Sequence, residues 1–156
     1  MSTIPIEPEG VLPSPAKPVP VVDAPSRPFF DGALAGRLMV RRCASCGTWM
    51  WPTGGIGMPL RPRCIACFSG DLEWAAASGR ATLYSFVVMH QVYDPAFADD
   101  VPYNIAIVEL EEGVRMMTNV VDCPNEELKI GMPLEVIFEQ ASDEVALPKF
   151  KPRVDE

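Results

Sequence analysis

The sequence of 156 residues lacks the features that usually mark an enzyme, a nucleic-acid-binding protein or a membrane protein. It contains one histidine, His90, and it shows no Ser/His/Asp order, phosphate-cradling glycine loop or second metal cluster, so a self-sufficient enzyme is disfavoured. The formal net charge is −8 and the pI is about 4.6, so the basic surface of a typical nucleic-acid-binding protein is missing. There is no charged-then-apolar leader and no apolar run as long as a membrane span. A cytoplasmic protein without a membrane partner is therefore expected.

Cysteine is scarce but regularly spaced. Four of the five cysteines form two Cys-x-x-Cys pairs, Cys43 with Cys46 and Cys64 with Cys67, and seventeen residues separate the pairs. This spacing predicts a tetrahedral Cys₄ zinc site, because each pair can turn two thiolates towards one ion. Since thiolates fill all four positions, the zinc is predicted to be structural. Two disulfides, a redox pair and a rubredoxin-like iron site are the alternatives. Cys123 is predicted to be a free apolar side chain, and a reactive thiol is its alternative role.

Arginine residues flank both cysteine pairs. Arg41 and Arg42 precede the first pair, and Arg61 and Arg63 precede the second. We interpret them as a solvated rim that balances the negative zinc–thiolate centre. The alternative is contact with a phosphate, such as that of coenzyme A, because guanidinium groups match phosphate oxygens in geometry and charge.

Proline is concentrated at the start of the chain, and residues 1–28 hold eight of the 17. Proline fixes its own backbone and lacks an N–H, so this region is predicted to be an extended arm, either disordered or laid along a partner. Residues 29–77 are predicted to form a short helix near 30–36, a strand and the zinc ribbon. Residues 78–150 are predicted to form an OB-fold domain, and residues 151–156 a tail.

The pattern from residue 78 onward indicates β-structure. A hairpin turn is predicted at Glu111-Glu112-Gly113, and a link with room for one helical turn is predicted at 122–130. Five short strands in this order predict a mainly β fold, a small Greek-key barrel of the OB type. The strands are expected at about 81–90, 103–110, 114–121, 134–139 and 145–150.

The first two predicted barrel strands are apolar on both faces. A small barrel buries one face of each strand, so the other face should be covered by the ribbon, the arm or another protein. OB proteins that bind single-stranded nucleic acid stack bases on aromatic side chains of the second and third strands. Residues 104–121 contain no aromatic residue, and Arg115 is their only basic one. A nucleic-acid-binding OB protein with a zinc ribbon is therefore the weaker alternative.

Several short motifs follow one another in a specific order over residues 29–150. They are Phe29-Phe30-Asp31-Gly32, Cys43-x-x-Cys46-Gly47, Cys64-x-x-Cys67, Leu72-Glu73-Trp74, Ser78-Gly79, Tyr84-Ser85-Phe86, Pro102-Tyr103, Val108-Glu109-Leu110, Gly113-Val114-Arg115, and Ile130-Gly131-Met132-Pro133-Leu134-Glu135-Val136. Together they resemble the domain-of-unknown-function-35 family, in which a rubredoxin-like zinc ribbon precedes an OB-fold domain. The proline-rich arm is not part of that pattern.

The resemblance implies a non-catalytic accessory subunit. Members of this family pair with thiolase-superfamily enzymes that perform thiolysis, acyl transfer or retro-aldol cleavage on acyl-CoA thioesters, and some are fused to hydratase domains. The resemblance thus implies a heterotetramer built on the partner's dimer, with a coenzyme A thioester at or near the interface. A stand-alone acyl-CoA-binding module is a further alternative. His90, Tyr93 and Tyr103 are interpreted as loop or barrel-end residues, and lining of the partner's active-site mouth is their alternative role.

Overall fold

The computed structural model describes residues 16–53 and 58–154, so most of the predicted arm lies outside the described residues. The fold is mainly β, as predicted, with a zinc-ribbon region followed by a curled five-stranded sheet. The elements in chain order are α1 (Arg27–Leu34), β1 (Met39–Cys43), β2 (Trp49–Met50), β3 (Leu72–Ala76), β4 (Arg80–Met89), a first 3-10 helix (Pro95–Asp100), β5 (Tyr103–Leu110), β6 (Arg115–Thr118), a second 3-10 helix (Asn125–Glu127), β7 (Pro133–Gln140) and β8 (Ala146–Pro152).

The helix α1 begins three residues earlier than the sequence predicted. Pro28 lies in its first turn, where the missing N–H has no intrahelical partner to lose. Beyond its end, Gly36 has a φ of +77°, a conformation that glycine adopts without steric cost. A Cβ on Gly32 would lie 2.3 Å from the Cγ of Met39, so this glycine allows α1 to pack closely against β1. Among the described helices, none has the length and apolar character required to cross a membrane.

The ribbon is a three-stranded antiparallel sheet in the order β2-β1-β3. Its central strand, β1, sends Val40 into the same buried cluster as the barrel, and Leu38 joins it from the preceding turn. A second, smaller cluster consists of Cys43, Met50 and Cys64, with Leu72 packed against it. The ribbon is therefore tied to the barrel by one shared apolar core and keeps a separate small core around its cysteines.

The barrel sheet has the strand order β6-β5-β4-β7-β8. A parallel bridge between Val120 and Phe150 joins the segment after β6 to β8 and brings the two sheet edges together. The N–H of Val121 donates to the carbonyl of Phe150 at 2.8 Å, and the N–H of Phe150 donates to the carbonyl of Asn119 at 3.1 Å. This closure gives the connectivity of an OB barrel. The predicted third strand, 114–121, is shorter in the structure because the chain leaves β5 after Thr118.

The core of the barrel follows the strict alternation of β5. Asn104, Ala106, Val108 and Leu110 point inwards and are buried, whereas the residues between them are half-exposed. Phe150, with no exposed surface, fills the interior opposite β5. β8 continues through Pro152, into the region predicted as a tail. The division of the chain into domains at residues 28, 77 and 150 stays a prediction.

Candidate metal centre and exposed sheet face

Two tight turns of the same design carry the four cysteines. In the first, the N–H of Cys43 donates to the carbonyl of Thr48 at 2.9 Å, and Gly47 has a φ of +78°. In the second, the N–H of Cys64 donates to the carbonyl of Ser69 at 2.8 Å, and Phe68 has a φ of +63°. Each left-handed residue follows the second cysteine of its pair, so both turns present their thiols in the same way. Both turns were predicted from the cysteine spacing, but a glycine marks the left-handed position only in the first.

The four cysteine sulfurs form one cluster. The Sγ atoms of Cys43 and Cys67 are 3.6 Å apart, those of Cys46 and Cys64 are 3.5 Å apart, and all four lie within 4.8 Å of one another. Four sulfurs bound tetrahedrally at about 2.3 Å from a zinc ion would be about 3.8 Å apart. A disulfide would need about 2.05 Å, and all five cysteines are free thiols. The donor set and its spacing fit a tetrahedral metal ion, and they exclude the two-disulfide alternative.

Backbone and side-chain donors around the sulfurs favour thiolates at two positions. The N–H groups of Cys67 and Ala66 point at the Sγ of Cys64, at 3.5 and 3.3 Å, and lower the pKa of Cys64. A hydrogen bond with the Thr48 hydroxyl lowers the pKa of Cys46 to about 6. The backbone N–H of Ser69 favours the thiolate of Cys67, but burial and the neighbouring thiols outweigh it and raise the pKa of Cys67 to about 12. Because the four sulfurs are close together, a negative charge on one disfavours a negative charge on the next. A bound cation would remove this penalty, because it stabilises all four thiolates together.

Phe68 has a backbone conformation that a bulky residue rarely adopts, and its side chain is exposed. We expect Phe68→Gly to stabilise the metal-loaded protein by up to about 1 kcal/mol, because the left-handed strain is removed at some entropic cost. Urea unfolding measures this change. The matched control is Gly47→Ala, which should destabilise by about 1 kcal/mol because alanine would be held at a φ of +78°. A Cβ there meets only the Arg42 Nη2, at 3.6 Å, so no steric clash adds to this strain. Destabilisation by Phe68→Gly would contradict the strain argument.

The four arginines near the cysteines are each engaged within the ribbon. The guanidinium of Arg41 lies 5.2 Å from the centre of the Trp74 ring. Arg42 lies 5.7 Å from the Trp49 ring and 3.7 Å from the Glu73 carboxylate. These contacts pack the guanidinium groups of Arg41 and Arg42 on the ribbon. A solvated rim that balances the zinc–thiolate charge stays a prediction.

The other two arginines donate to backbone carbonyls. The Nε of Arg61 donates to the carbonyl of Thr53 at 3.2 Å, and the Nη1 of Arg63 donates to the carbonyl of Phe68 at 3.1 Å. The Arg63 bond braces the second cysteine turn, and the Arg61 bond ties the segment before that turn to Thr53. Contact of any of the four arginines with a coenzyme A phosphate stays a prediction.

The outward side of β4, β5 and β6 is an apolar surface, called the outer face below. Its large apolar residues are Tyr84, Val87, Ile105, Ile107 and Met117, and the exposed Ser85 lies beside Ile107. Val87 is 54% exposed and faces Ile105 across the sheet, and Met117 is 57% exposed and faces Ile107. Large apolar side chains in adjacent cross-strand positions are typical of a surface that another protein covers.

The polar edge of the outer face contains one ordered charge pair. Arg115 lies 3.8 Å from the centre of the Tyr84 ring, and its Nε donates to the carboxylate of Glu109 at 2.9 Å.

His90 and Tyr93 are exposed in the loop after β4. The rings of Tyr103 and Phe97 are tilted against each other, with their centres 6.2 Å apart. These three residues are placed as loop and barrel-end side chains, as interpreted from the sequence.

The chain matches two family models, "ChsH2, rubredoxin-like zinc ribbon domain" over residues 30–55 and "ChsH2, C-terminal OB-fold domain" over residues 74–139. The fold and the cysteine cluster thus define a protein with a zinc ribbon and an OB fold. The chain belongs to the DUF35 family, to which the ChsH2 domains and several archaeal scaffold proteins also belong.

Three relatives place the chain within this family. It is 36% identical over 142 residues to the "Probable enoyl-CoA hydratase alpha subunit" of Thermomonospora curvata, covering 91% of this chain and 42% of that protein. It is 36% identical over 103 residues to a "DUF35 domain-containing scaffold protein" of Methanocaldococcus jannaschii, covering 66% of this chain and 68% of that protein. In the solved structure of the "Ltp2-ChsH2(DUF35) aldolase", it matches one chain with a TM-score of 0.72 and 35% identity, covering 87% of this chain and 100% of that chain. The chain thus spans less than half the length of the hydratase subunit and the whole of the chain in the aldolase.

Proposed function

We propose that this protein is a non-catalytic, zinc-binding OB-fold subunit of a heteromeric thiolase-superfamily enzyme that acts on acyl-CoA thioesters. The observation that carries the proposal is the match to a complete chain of the Ltp2-ChsH2(DUF35) aldolase at 35% identity. The name of that complex favours retro-aldol cleavage over thiolysis or acyl transfer. The relationship to a hydratase alpha subunit supports action on a coenzyme A thioester.

The chemistry is assigned to the partner because this chain offers little of its own. Within residues 16–53 and 58–154, the four cysteines are the one group of three or more side chains able to hold a metal ion, and they leave no open coordination position. His90 is exposed at the end of β4. A lone exposed histidine does not supply the positioned acid and base that acyl-CoA chemistry requires.

The outer face is the proposed docking surface for the catalytic subunit. A barrel that carried out its function alone would have little reason to place Val87 and Met117 opposite other apolar residues in water. Docking on a thiolase-superfamily dimer would give a heterotetramer, with one copy of this chain on each catalytic subunit. In that arrangement the OB-fold subunit stabilises the dimer and shapes the entrance for the coenzyme A thioester.

Zinc, held by Cys43, Cys46, Cys64 and Cys67, is the proposed structural cofactor. Reduced thiolates at these positions also support a cytoplasmic location, where thiols are kept reduced. The coenzyme A thioester is proposed to lie at the interface with the partner.

We expect Met117→Lys to weaken docking by at least about tenfold, because it would bury an unpaired charge against an apolar surface. Titration of the purified catalytic subunit with each variant measures the change in dissociation constant. The control is Val154→Lys, since Val154 follows β8, lies outside both the arm and the outer face, and is 85% exposed. Equal affinity of the two variants would remove the outer face from the interface.

Gentle isolation of the tagged protein from its own cells, followed by mass spectrometry, tests the function itself. A thiolase-superfamily subunit in stoichiometric amount would support the proposal, and its active-site residues would identify the reaction. Recovery with nucleic acid would favour the nucleic-acid-binding alternative. Recovery alone, with binding of acyl-CoA in a direct titration, would replace the proposal by a stand-alone acyl-CoA-binding module.

A further inference from the structure

A large cavity lies at the end of the barrel where β6 and β8 approach each other. Its volume is about 940 Å³. Side chains from the first 3-10 helix, from the segment after β6 and from β8 line it, among them Phe97, Val120, Cys123 and Leu147. One wall is not part of the barrel at all, because Ala16 to Val19 of the proline-rich arm form it.

A single lysine fastens this part of the arm to the barrel. The Nζ of Lys17 lies 2.5 Å from the Oδ2 of Asp100 and 5.6 Å from the centre of the Phe97 ring, so one ammonium group makes an ion pair and a cation–π contact. The hydrogen bond to Asp100 raises the pKa of Lys17, and the nearby carboxylates of Glu139 and Asp99 act in the same direction. The acidic and aromatic groups that receive the lysine all belong to the barrel.

The other end of the arm is fixed to the start of α1. The N–H of Ser26 donates to the Oδ1 of Asp23 at 2.8 Å, and the N–H of Asp23 donates to the Oγ of Ser26 at 3.1 Å. Pro18 and Pro20 lie between the two attachments, and Pro25 lies within the second. Because each proline fixes its own φ, this stretch loses less entropy on docking than an ordinary segment of the same length.

We propose that residues 16–22 are a strap that covers one side of this cavity, and that the groove formed by Phe97 and Asp100 of the first 3-10 helix is a recognition site for their extended Lys-Pro segment. The groove combines an aromatic surface with a carboxylate, a combination suited to a proline-rich segment that carries one lysine. Release of Lys17 opens the cavity without disturbing the barrel, since the strap contributes no strand and no residue of the apolar core. This inference is independent of the catalytic partner.

The thiol of Cys123 reports directly on the state of the strap, because it lines the cavity and is half-buried. We expect Lys17→Glu to raise the rate at which iodoacetamide alkylates Cys123 by about three- to tenfold, the range expected when one exposed ion pair and one cation–π contact are lost. Peptide mass spectrometry of the full zinc-loaded chain separates Cys123 from the ribbon cysteines. Removal of a nearby positive charge would by itself disfavour the thiolate and slow the reaction, so a faster rate reports opening.

Two further variants make the test specific. The double variant with Lys17→Asp and Asp100→Lys reverses the ion pair and should return the rate towards that of the native chain. The control is Arg115→Glu, which removes a similar cation from a carboxylate and a Tyr84 ring on the outer face. The side chains of Lys17 and Arg115 are 54% and 53% exposed, so the two pairs are closely matched. An unchanged rate in Lys17→Glu, or an equal rise in Arg115→Glu, would overturn the strap.

Discussion

Cys64→Ser should release the bound metal and unfold the ribbon. Cys64 is buried, and its sulfur accepts two backbone N–H groups that a serine oxygen, on a shorter bond, would not reach in the same geometry. Structural zinc contributes about 10 kcal/mol or more to the folding of small ribbons, so loss of one ligand in four should cost at least about 3 kcal/mol. Metal content by atomic emission and the free energy of unfolding in urea measure the two effects.

The loss should reach the barrel as well. Leu38 and Val40 come from the ribbon region and lie in the same buried cluster as Leu83 and Phe150. Unfolding of the ribbon therefore exposes part of the barrel core to water, and amide hydrogen exchange should rise in β4 together with β1. Cys123→Ser is the control, because it makes the same chemical change outside the cluster. One metal ion per chain and an unchanged unfolding midpoint in Cys64→Ser would refute the Cys₄ site.

The ribbon could be predicted from the sequence because its determinants are local. Cys43 and Cys46 are three residues apart, so the geometry of one turn fixes their relation whatever the rest of the chain does. The bounds of β5 were predicted correctly for a similar reason. Its apolar run follows Pro102 and continues without interruption to the hairpin turn at Glu111-Glu112-Gly113.

The closure of the barrel could not be predicted in the same way, because it depends on a contact between distant residues. The buried side chain of Asn104 accepts the N–H of Val120 at 2.7 Å and donates to the carbonyl of the same residue at 2.8 Å. Its amide also donates to the Oδ1 of Asn125 at 3.1 Å. Asn104 thus replaces strand pairing where β6 ends, which is why the predicted third strand is too long. A polar residue within an apolar strand was the one signal of this role.

The contact between the strap and the barrel could not be predicted either, because it also joins residues that are distant in sequence. The alternation of proline and valine predicts an extended arm over residues 1–28, which stays a prediction, and α1 begins within that range at Arg27. The contact of the strap joins Lys17 to Asp100, and these residues are 83 positions apart in sequence. Nothing local distinguishes this lysine from a solvated one. In contrast, the apolar character of both faces of β4 and β5 was visible in the sequence, and the structure places Val87 and Met117 on the face that the core does not use.

Phe150→Ala should destabilise the barrel by about 3–5 kcal/mol, the range for truncation of a buried phenylalanine. Phe150 has no exposed surface, pairs with Val136 of β7 and forms the parallel bridge to Val120. Its ring therefore supports the point at which the open sheet becomes a closed barrel. Without the ring, the bridge loses its packing while the backbone hydrogen bonds of Val121 and Phe150 become accessible to water. The free energy of unfolding in urea measures the cost, and hydrogen exchange at Val121 measures the opening.

Phe150→Leu separates the role of the ring from the role of the backbone. Leucine keeps most of the apolar volume, so this variant should cost less than about 1.5 kcal/mol and leave exchange at Val121 slow. If closure depends on the packing at this position, exchange should be fast in the alanine variant alone. Equal exchange rates in both variants would mean that the hydrogen bonds around Asn104 hold the barrel closed without Phe150. In that case the loss of the Phe150 ring from the core would not disturb the outer face on the other side of the sheet. The affinity of Phe150→Ala for the catalytic subunit would then equal that of the native chain.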